Sequence, residues 1–544
     1  MVPTSSLVID FETSTPTGKP DFRVDVLERA GWLESGAEVA KWSSCLCPLP
    51  NTPYLTGHNL MYDLGILWRL RPSPLQRYDI HDTLALAYGQ GEEDLSLKGL
   101  MQKYLKVNTD TFPYQRIGVE QAHGQDLWGT QRLFPILRER QRGTCYDIDR
   151  ALIPALIDCS YRGYEIDPER LEKAIEKAEA SCSRAETAFS TLVADTSVLL
   201  SRRKVTRKRW PEDTIGLYGD DVVVGDGPTR YRESYGSPGI NSPIQLQRYF
   251  DVPSVDKIFL QLLAAKEGPK ALAAFLRQQW VAADKLLDTY FYPNRGKDQL
   301  TGLFNITPTE DMEGGAGTGR LSSERSNMQN QAPAMERCLR APKGFLILRG
   351  DYSQIELRGS AEISGDEGML TALADPNRDL HQEAADRFFG GNRKRGKVFN
   401  FRELYICGPE VKVAYPGFYA WAERHWLEVQ RTGVSVGPEP FLHRRPIPLL
   451  GGDHARRQAI NHPPQNLAVY ITKAAMVRLF RAGWMLVNQV HDAIHAYIPE
   501  DDNVPLRKAQ FREIMEETAR EYLPRLGASV EVKCSKYWSE EDLL

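Results

Sequence analysis

Two acidic stretches are where this 544-residue chain could do chemistry. The first is Phe345-Leu-Ile-Leu-Arg-Gly-Asp-Tyr-Ser-Gln-Ile-Glu-Leu-Arg358. Phe345 to Leu348 read as a short buried strand, Arg349 and Gly350 punctuate it, and Asp351 stands where it ends. A carboxylate there can ligate a metal, with Glu356 a short way beyond, and it serves equally well as a helix cap. The second stretch is Val490-His491-Asp492, between the apolar runs Trp484–Val487 and Ala493–Ile498. That pattern predicts a β-hairpin with Asp492 near its turn. A third acidic pair, Asp10 and Glu12, lies in a predicted strand over residues 6–13. Two residues apart, both side chains leave the same face. They repel, and either a bound divalent cation compensates them or they are an ordinary charged pair on a surface strand. Finally, Arg393, Lys397, Phe401 and Tyr405 recur every four positions, which on a helix places them along one drifting face. Two cations followed by two aromatics suit a nucleoside triphosphate; a basic amphipathic helix is the plain alternative.

The elements that must hold these residues are spread over a chain long enough for two to four domains. Hydrophobic residues make up 42% and charged residues 26%, ordinary for a soluble globular protein. The net charge of −4 does not announce a nucleic-acid binder, so DNA binding would have to rest on local basic patches. The eight cysteines are irregularly spaced, and Cys45-Leu-Cys47 has no partner pair at zinc-finger spacing. With no signal-like start and no apolar run of spanning length, the reading is no membrane and a reducing cytoplasm. Gly57–Asp63, Ile80–Tyr88 and Asp94–Tyr104 follow the first strand, and Gly124–Phe134 reads as a helix. Residues 150–300 are mostly helical in pattern, with a long helix over Leu171–Leu192. Within residues 195–236, the basic run Ser201–Trp210 is either a tip that grips duplex phosphates or a solvated charged loop. Gly314 and Gly319 have P-loop spacing, but Arg320 and Leu321 replace the required Lys and Ser/Thr, which argues against that reading.

Asp-Tyr-Ser-Gln-Ile-Glu-Leu-Arg, residues 351–358, resembles motif A of the family A DNA polymerases, and His491-Asp492 resembles their motif C. The resemblance implies that Asp351 and Asp492 bind two Mg2+, or Mn2+ in their place, which suits carboxylates completed by phosphate oxygens. Ala493 stands where the family usually has a glutamate. Thr318-Gly-Arg-Leu-Ser-Ser323, continuing to Asn330, resembles a block whose Arg320, Asn327, Gln329 and Asn330 contact primer–template. Arg320 would read the minor groove, whose acceptors are shared by correct pairs. The Arg-x3-Lys-x7-Tyr spacing matches the family's motif B, although Ile406 replaces a glycine. By that resemblance Arg393, His381 and the catalytic Lys397 serve the triphosphate, and Phe401 and Tyr405 border the sugar and templating pair. Glu356 would exclude ribonucleotides, and Arg457, Gln465 and His491 lie on the substrate side. Arg456 takes a position where glutamate is common, and Val530–Trp538 resembles the family's closing strand.

The first 140 residues or so resemble the family's 3′–5′ proofreading exonuclease, which implies a metal site of Asp10, Glu12, Asp63 and Asp126. Ala122 occupies the place of its water-orienting tyrosine, and the histidine of related nucleases would fall at Gln121. His123, near the same helix face as Asp126, is either a substitute or a plain surface histidine. The implied fold is α/β and multidomain. It comprises a ribonuclease H-like exonuclease (1–148), a thumb (149–305) with the 195–236 insertion, and a palm (306–544) with fingers near 365–450 in a right-hand polymerase. No 5′-nuclease domain is expected, and the compact fingers suggest a phage or viral replicative enzyme, a bacterial or organellar source remaining open. The implied partners are primer–template DNA and deoxynucleoside triphosphates, with a processivity factor or helicase–primase beyond what the residues tell. The rivals are a single-subunit RNA polymerase, against which Glu356 argues, and a non-catalytic DNA-binding replication subunit, against which Asp351, Asp492, Arg393 and Lys397 argue.

Overall fold

Leu7, Val8, Ile9 and Phe11 are buried because strand β1 (Leu7–Ser14) runs through the middle of a five-stranded sheet. The computed structural model describes residues 7–15, 20–45, 52–71, 77–108, 119–206, 221–224, 229–307, 317–375, 378–406 and 409–539. Residues 119–123, 203–206, 221–224, 229–232, 401–406 and 409–410 are described by their backbone alone. The chain divides into two units. One comprises Met1–Glu165, Gln299–Asn330 and Arg340–Tyr537; the other comprises Ile166–Asp298, Gln331–Leu339 and Trp538–Leu544.

In the first unit β1 is followed by β2 (Val26–Glu34), β3 (Lys41–Ser43), β4 (Tyr54–Gly57), α1 (Leu60–Leu70) and β5 (Asp79–Asp82), giving the order β3-β2-β1-β4-β5. The alternation in β1 leaves Asp10 and Glu12 half-buried on one face while Ile9 and Phe11 fill the other. Helices α2 (Thr83–Gly89), α3 (Leu97–Leu105) and α4 (Val119–Arg140) close over a core of Leu86, Leu100, Met101, Leu133 and Phe134. Helix α4 contains the predicted Gly124–Phe134 and extends it at both ends. Next comes α5 (Cys145–Arg162), whose buried Asp149 is matched by a lysine more than 300 positions along the chain.

The second unit opens with α6 (Pro168–Leu192), where Pro168 occupies the first turn and the Asp167 carboxylate accepts the Arg170 N–H at 3.0 Å. Beyond it β6 (Val198–Thr206), β7 (Asp221–Val224) and β8 (Thr229–Gly236) form an antiparallel sheet in the order β6-β8-β7. Helix α7 (Pro269–Lys285) packs with α6 around Phe189, Leu246, Phe250 and Leu260. The start of the basic run is strand rather than loop: Ser201 to Thr206 lie in β6, where Arg202 lies opposite Glu233 and the two bond at 3.0 Å. Residues 207–220 of that basic segment and the 308–316 glycine run, Gly314 included, lie outside the described residues.

Back in the first unit, β9 (Phe345–Tyr352) leads into α8 (Ile355–Ser364), then α9 (Leu380–Phe388), α10 (Arg393–Ile406) and α11 (Asp453–Arg481). A hairpin of β10 (Met485–Val490) and β11 (Ala493–Pro499), helix α12 (Val504–Tyr522) and β12 (Val530–Ser535) complete it. The sheet is antiparallel in the order β10-β11-β9-β12. β9 runs on through Arg349 and Gly350, and Asp351 stands one residue before its end, where the sequence pattern placed it. Gly350 is there for close approach, since a Cβ would sit 2.6 Å from Met515 Sδ and 2.7 Å from Phe511 Cε1 on α12.

Candidate active site

Strand register brings the two separated aspartates together. Asp351 is paired with Ala493, and the β10–β11 turn consists of His491 and Asp492, immediately beyond the Val490–Ala493 pair. His491 carries a positive φ of 54°, which lets a two-residue turn follow the twist of its strands. The Asp492 pKa is pushed up to about 7, first by burial and then by Glu356 and Asp351, with Arg320 and Lys397 opposing. Asp351 is also raised, first by burial and then by Glu531, with Lys397, Lys533 and Arg349 opposing. The site is therefore a set of hard carboxylate oxygens whose mutual repulsion a divalent cation would relieve.

Around it, Arg320 Nη2 donates to Glu356 Oε1 at 2.5 Å, tying the expected groove reader to the expected sugar gate. Gln329 Nε2 donates to Gln489 Oε1 at 2.7 Å, and the Gln329 and Asn330 N–H groups donate to Asn327 Oδ1 and O at 3.0 and 3.3 Å. On α10, Lys397 lies within electrostatic reach of both aspartates, and Arg393 Nε donates to Asp379 Oδ2 at 2.6 Å. Asp379 also caps α9 through the His381 and Gln382 N–H groups. His381, expected on the triphosphate, is only 2% exposed with Asn400 Nδ2 at 3.2 Å from its Nδ1. Burial pulls its pKa down to about 4, so it is uncharged at neutral pH. Phe401 and Tyr405 lie on the same helix, their side chains outside the described residues. Arg457 is exposed and Gln465 half-buried on α11. Gln489, which bonds Gln329, and Glu531, opposite Asp351, are neighbours of the site that the sequence did not single out. Alternation within β12 exposes Glu531, but only register sets it opposite Asp351.

The second acidic site is built on β1. Asp63, buried on α1, accepts at 2.8 Å the N–H of Phe11, the residue between Asp10 and Glu12 on β1. The Asp82 carboxylate holds α1 in place, accepting the Asn59, Leu60, Leu84 and Ala85 N–H groups at 2.8–3.4 Å. Burial, then Asp126, then Glu12 push the Asp10 pKa up to about 8. Burial and then Asp10 raise Asp63, and burial followed by Asp126 raises Glu12. All four predicted carboxylates are thus in electrostatic contact. Among the described residues no group of three His, Cys, Asp or Glu converges tightly enough to hold an ion by itself. The side chains of Gln121, Ala122 and His123 lie outside the described residues.

A raised carboxylate weakens the fold increasingly as pH climbs from its unfolded value of about 4 toward its folded one. With Asp10 near 8, Asp10→Asn is expected to raise the melting temperature of the metal-free protein, more at pH 8 than at pH 5. Thermal melts in chelator at the two pH values check this; an equal gain at both would contradict it.

The family model described as DNA polymerase family A matches residues 244–411, which include Arg320, Asp351, Arg393 and Lys397. The chain is 29% identical over 453 residues to the thermostable DNA polymerase I of Thermus filiformis, covering 75% of this chain and 50% of the relative. It is 26% identical over 498 residues to DNA polymerase I of Pseudomonas aeruginosa, covering 81% and 50% respectively. The chain therefore spans about half the length of these curated relatives. In fold it is similar to the POL domain of Pol1 from M. smegmatis, solved in complex with DNA primer–template and dNTP. The TM-score is 0.73 at 18% identity, covering 98% of this chain and 96% of that one. The family A match ends at 411, and Asp492 lies beyond it.

Proposed function

We propose that the chain is a DNA-directed DNA polymerase that adds deoxynucleotides to a primer 3′-hydroxyl and proofreads with a 3′–5′ exonuclease. The observation that carries the reading is the convergence of Asp351 and Asp492 through β-sheet register, with Lys397, Arg320 and Glu356 within electrostatic reach of Asp492. Two Mg2+ held by Asp351 and Asp492, with substrate phosphates as further ligands, would lower the pKa of the attacking hydroxyl and neutralise the leaving pyrophosphate. Lys397 places a cation on the triphosphate side, and Arg393 joins it on leaving Asp379. Glu356, held at the first turn of α8, is the carboxylate that crowds a ribose 2′-hydroxyl. Arg320 exchanges its bond to Glu356 for a minor-groove acceptor of the terminal pair. The β1 sheet with its four carboxylates supports the reading of a ribonuclease H-like exonuclease using the same ion chemistry on the opposite reaction.

Extension of a labelled primer on a defined template tests this. Template-directed addition of deoxynucleotides that requires Mg2+ and fails with ribonucleotides is expected. Efficient extension with ribonucleotides alone, or none with either, would overturn it.

A further inference from the structure

The helix pair α9–α10 carries a second basic surface besides the one that faces the two aspartates. Between Asp386 and Val398 the chain has five Lys or Arg and one acid, in a protein whose net charge is −4. Arg393 bonds Asp379, and Lys397 acts on Asp351 and Asp492. Arg387, Lys394 and Arg395 are exposed and make no ion pair among the described residues; the one acid, Asp386, accepts from Gln382 Nε2 at 2.7 Å. The helical repeat sets Arg395 and Phe399 about 200° around α10 from Arg393 and Lys397. Three phenylalanines meet on that side. The Phe388 and Phe399 rings lie 4.9 Å apart, Phe389 and Phe399 5.6 Å, and Phe388 and Phe389 6.3 Å. Arg387 Cζ stands 5.1 Å from the Phe388 ring and Arg395 Cζ 5.2 Å from that of Phe389. The two helices close on each other elsewhere, at Gly396, where a Cβ would sit 2.1 Å from the His381 carbonyl oxygen, and through Asn400 Nδ2, which donates to the Leu380 carbonyl at 2.8 Å. Phe388 is left 52% exposed.

Rings at the surface, interleaved with cations that no carboxylate neutralises, complement one kind of ligand. A single strand of nucleic acid offers bases to stack on and phosphates to meet the arginines, whereas a duplex hides its base faces. We propose that Phe388, Phe389 and Phe399, with Arg387, Lys394 and Arg395, form a stacking platform for the unpaired template strand that has yet to be copied. The inference rests on the polymerase reading and extends it. Template is the occupant because every round of templated synthesis presents an unpaired stretch of it, whereas a displaced strand exists only where a downstream duplex is opened. Ring faces stack on any base, so the platform is indifferent to sequence, as copying requires.

The test is fluorescence anisotropy of labelled primer–template with the full chain, in chelator so that nothing turns over. One substrate carries a 5′ template overhang of thymidines, one is flush, and one is a nicked duplex with a 5′ flap and no unpaired template. Phe388→Leu keeps an apolar side chain and removes the aromatic face. It and Arg395→Gln are each expected to weaken binding of the overhang substrate by about fivefold or more and to leave the flush one unchanged. Arg395→Gln should also lower the salt slope by about 0.7, the share of one phosphate contact on a single strand. Phe388→Trp should retain the affinity that Phe388→Leu loses, which a purely structural ring would not require. Overhang binding unchanged in both variants, an equal loss on the flush duplex, or a loss confined to the flap substrate would overturn the inference. So would polyglutamate competing as well as oligothymidylate, which would make the surface a dock for an acidic protein. Primer extension by the unmutated chain keeps the two readings apart. If it fails, the polymerase reading falls, whereas the anisotropy reports the platform without any turnover.

Discussion

Asp351→Ala and Asp492→Ala are each expected to abolish nucleotide addition while leaving 3′-end excision intact, and Asp10→Ala to do the reverse. The two acidic sets lie on different sheets, one on the β9–β11 register and the other on β1, so no ligand is shared. Removing one of two aspartates leaves a cation without half of its protein ligands. Loss of several kcal/mol of transition-state stabilisation corresponds to about 10³-fold or more in rate. Primer extension and excision of a labelled single-stranded 3′ end, measured on the same preparations, give both readouts. Extension retained within about tenfold in either palm variant would show that the aspartates do not hold the ions. Loss of excision together with extension would show that the sites are not independent.

The largest stability effect is expected from Lys473. Its side chain is 2% exposed on α11, and its Nζ lies 2.6 Å from Asp149 Oδ1 on α5, whose other oxygen accepts the Tyr470 hydroxyl at 2.8 Å. Burial raises Asp149 even with the lysine beside it, so the carboxylate depends on that charge to remain ionised. Lys473→Met leaves the anion in a dry site with one hydrogen bond, and removing one partner of such a pair costs about 3–5 kcal/mol. Urea unfolding should show this loss. Replacing both partners, with Lys473→Met and Asp149→Leu, should recover much of it, because neither charge then needs solvation. The sign of the pH dependence follows: the orphaned Asp149 has a further raised pKa, so the deficit of the single variant should shrink as pH falls and the carboxyl takes a proton. A deficit under about 1 kcal/mol, or one unchanged in the double variant, would mean that the pair does not hold α5 to α11.

Much of the chemistry is local, and the sequence determined it. Asp10 and Glu12 share a face because a strand has a period of two, and Arg393, Lys397, Phe401 and Tyr405 line up because a helix repeats every 3.6 residues. The hairpin around Asp492 was legible from two apolar runs and a polar turn. What spans the chain was decided by tertiary structure. The need for glycine at 350 comes from its close approach to α12, a contact that no neighbouring residue encodes. Across the strands at 198–206 and 229–236 Arg202 finds Glu233, a pairing invisible to a charge count. Lys473 and Asp149 look like surface charges in their own helices and become a buried pair only when those helices meet. Glu531 reads as one exposed residue of an alternating strand until register sets it opposite Asp351. Periodicity fixes which way a side chain points along its own element, whereas burial, register and partner charge depend on elements brought together from hundreds of residues away.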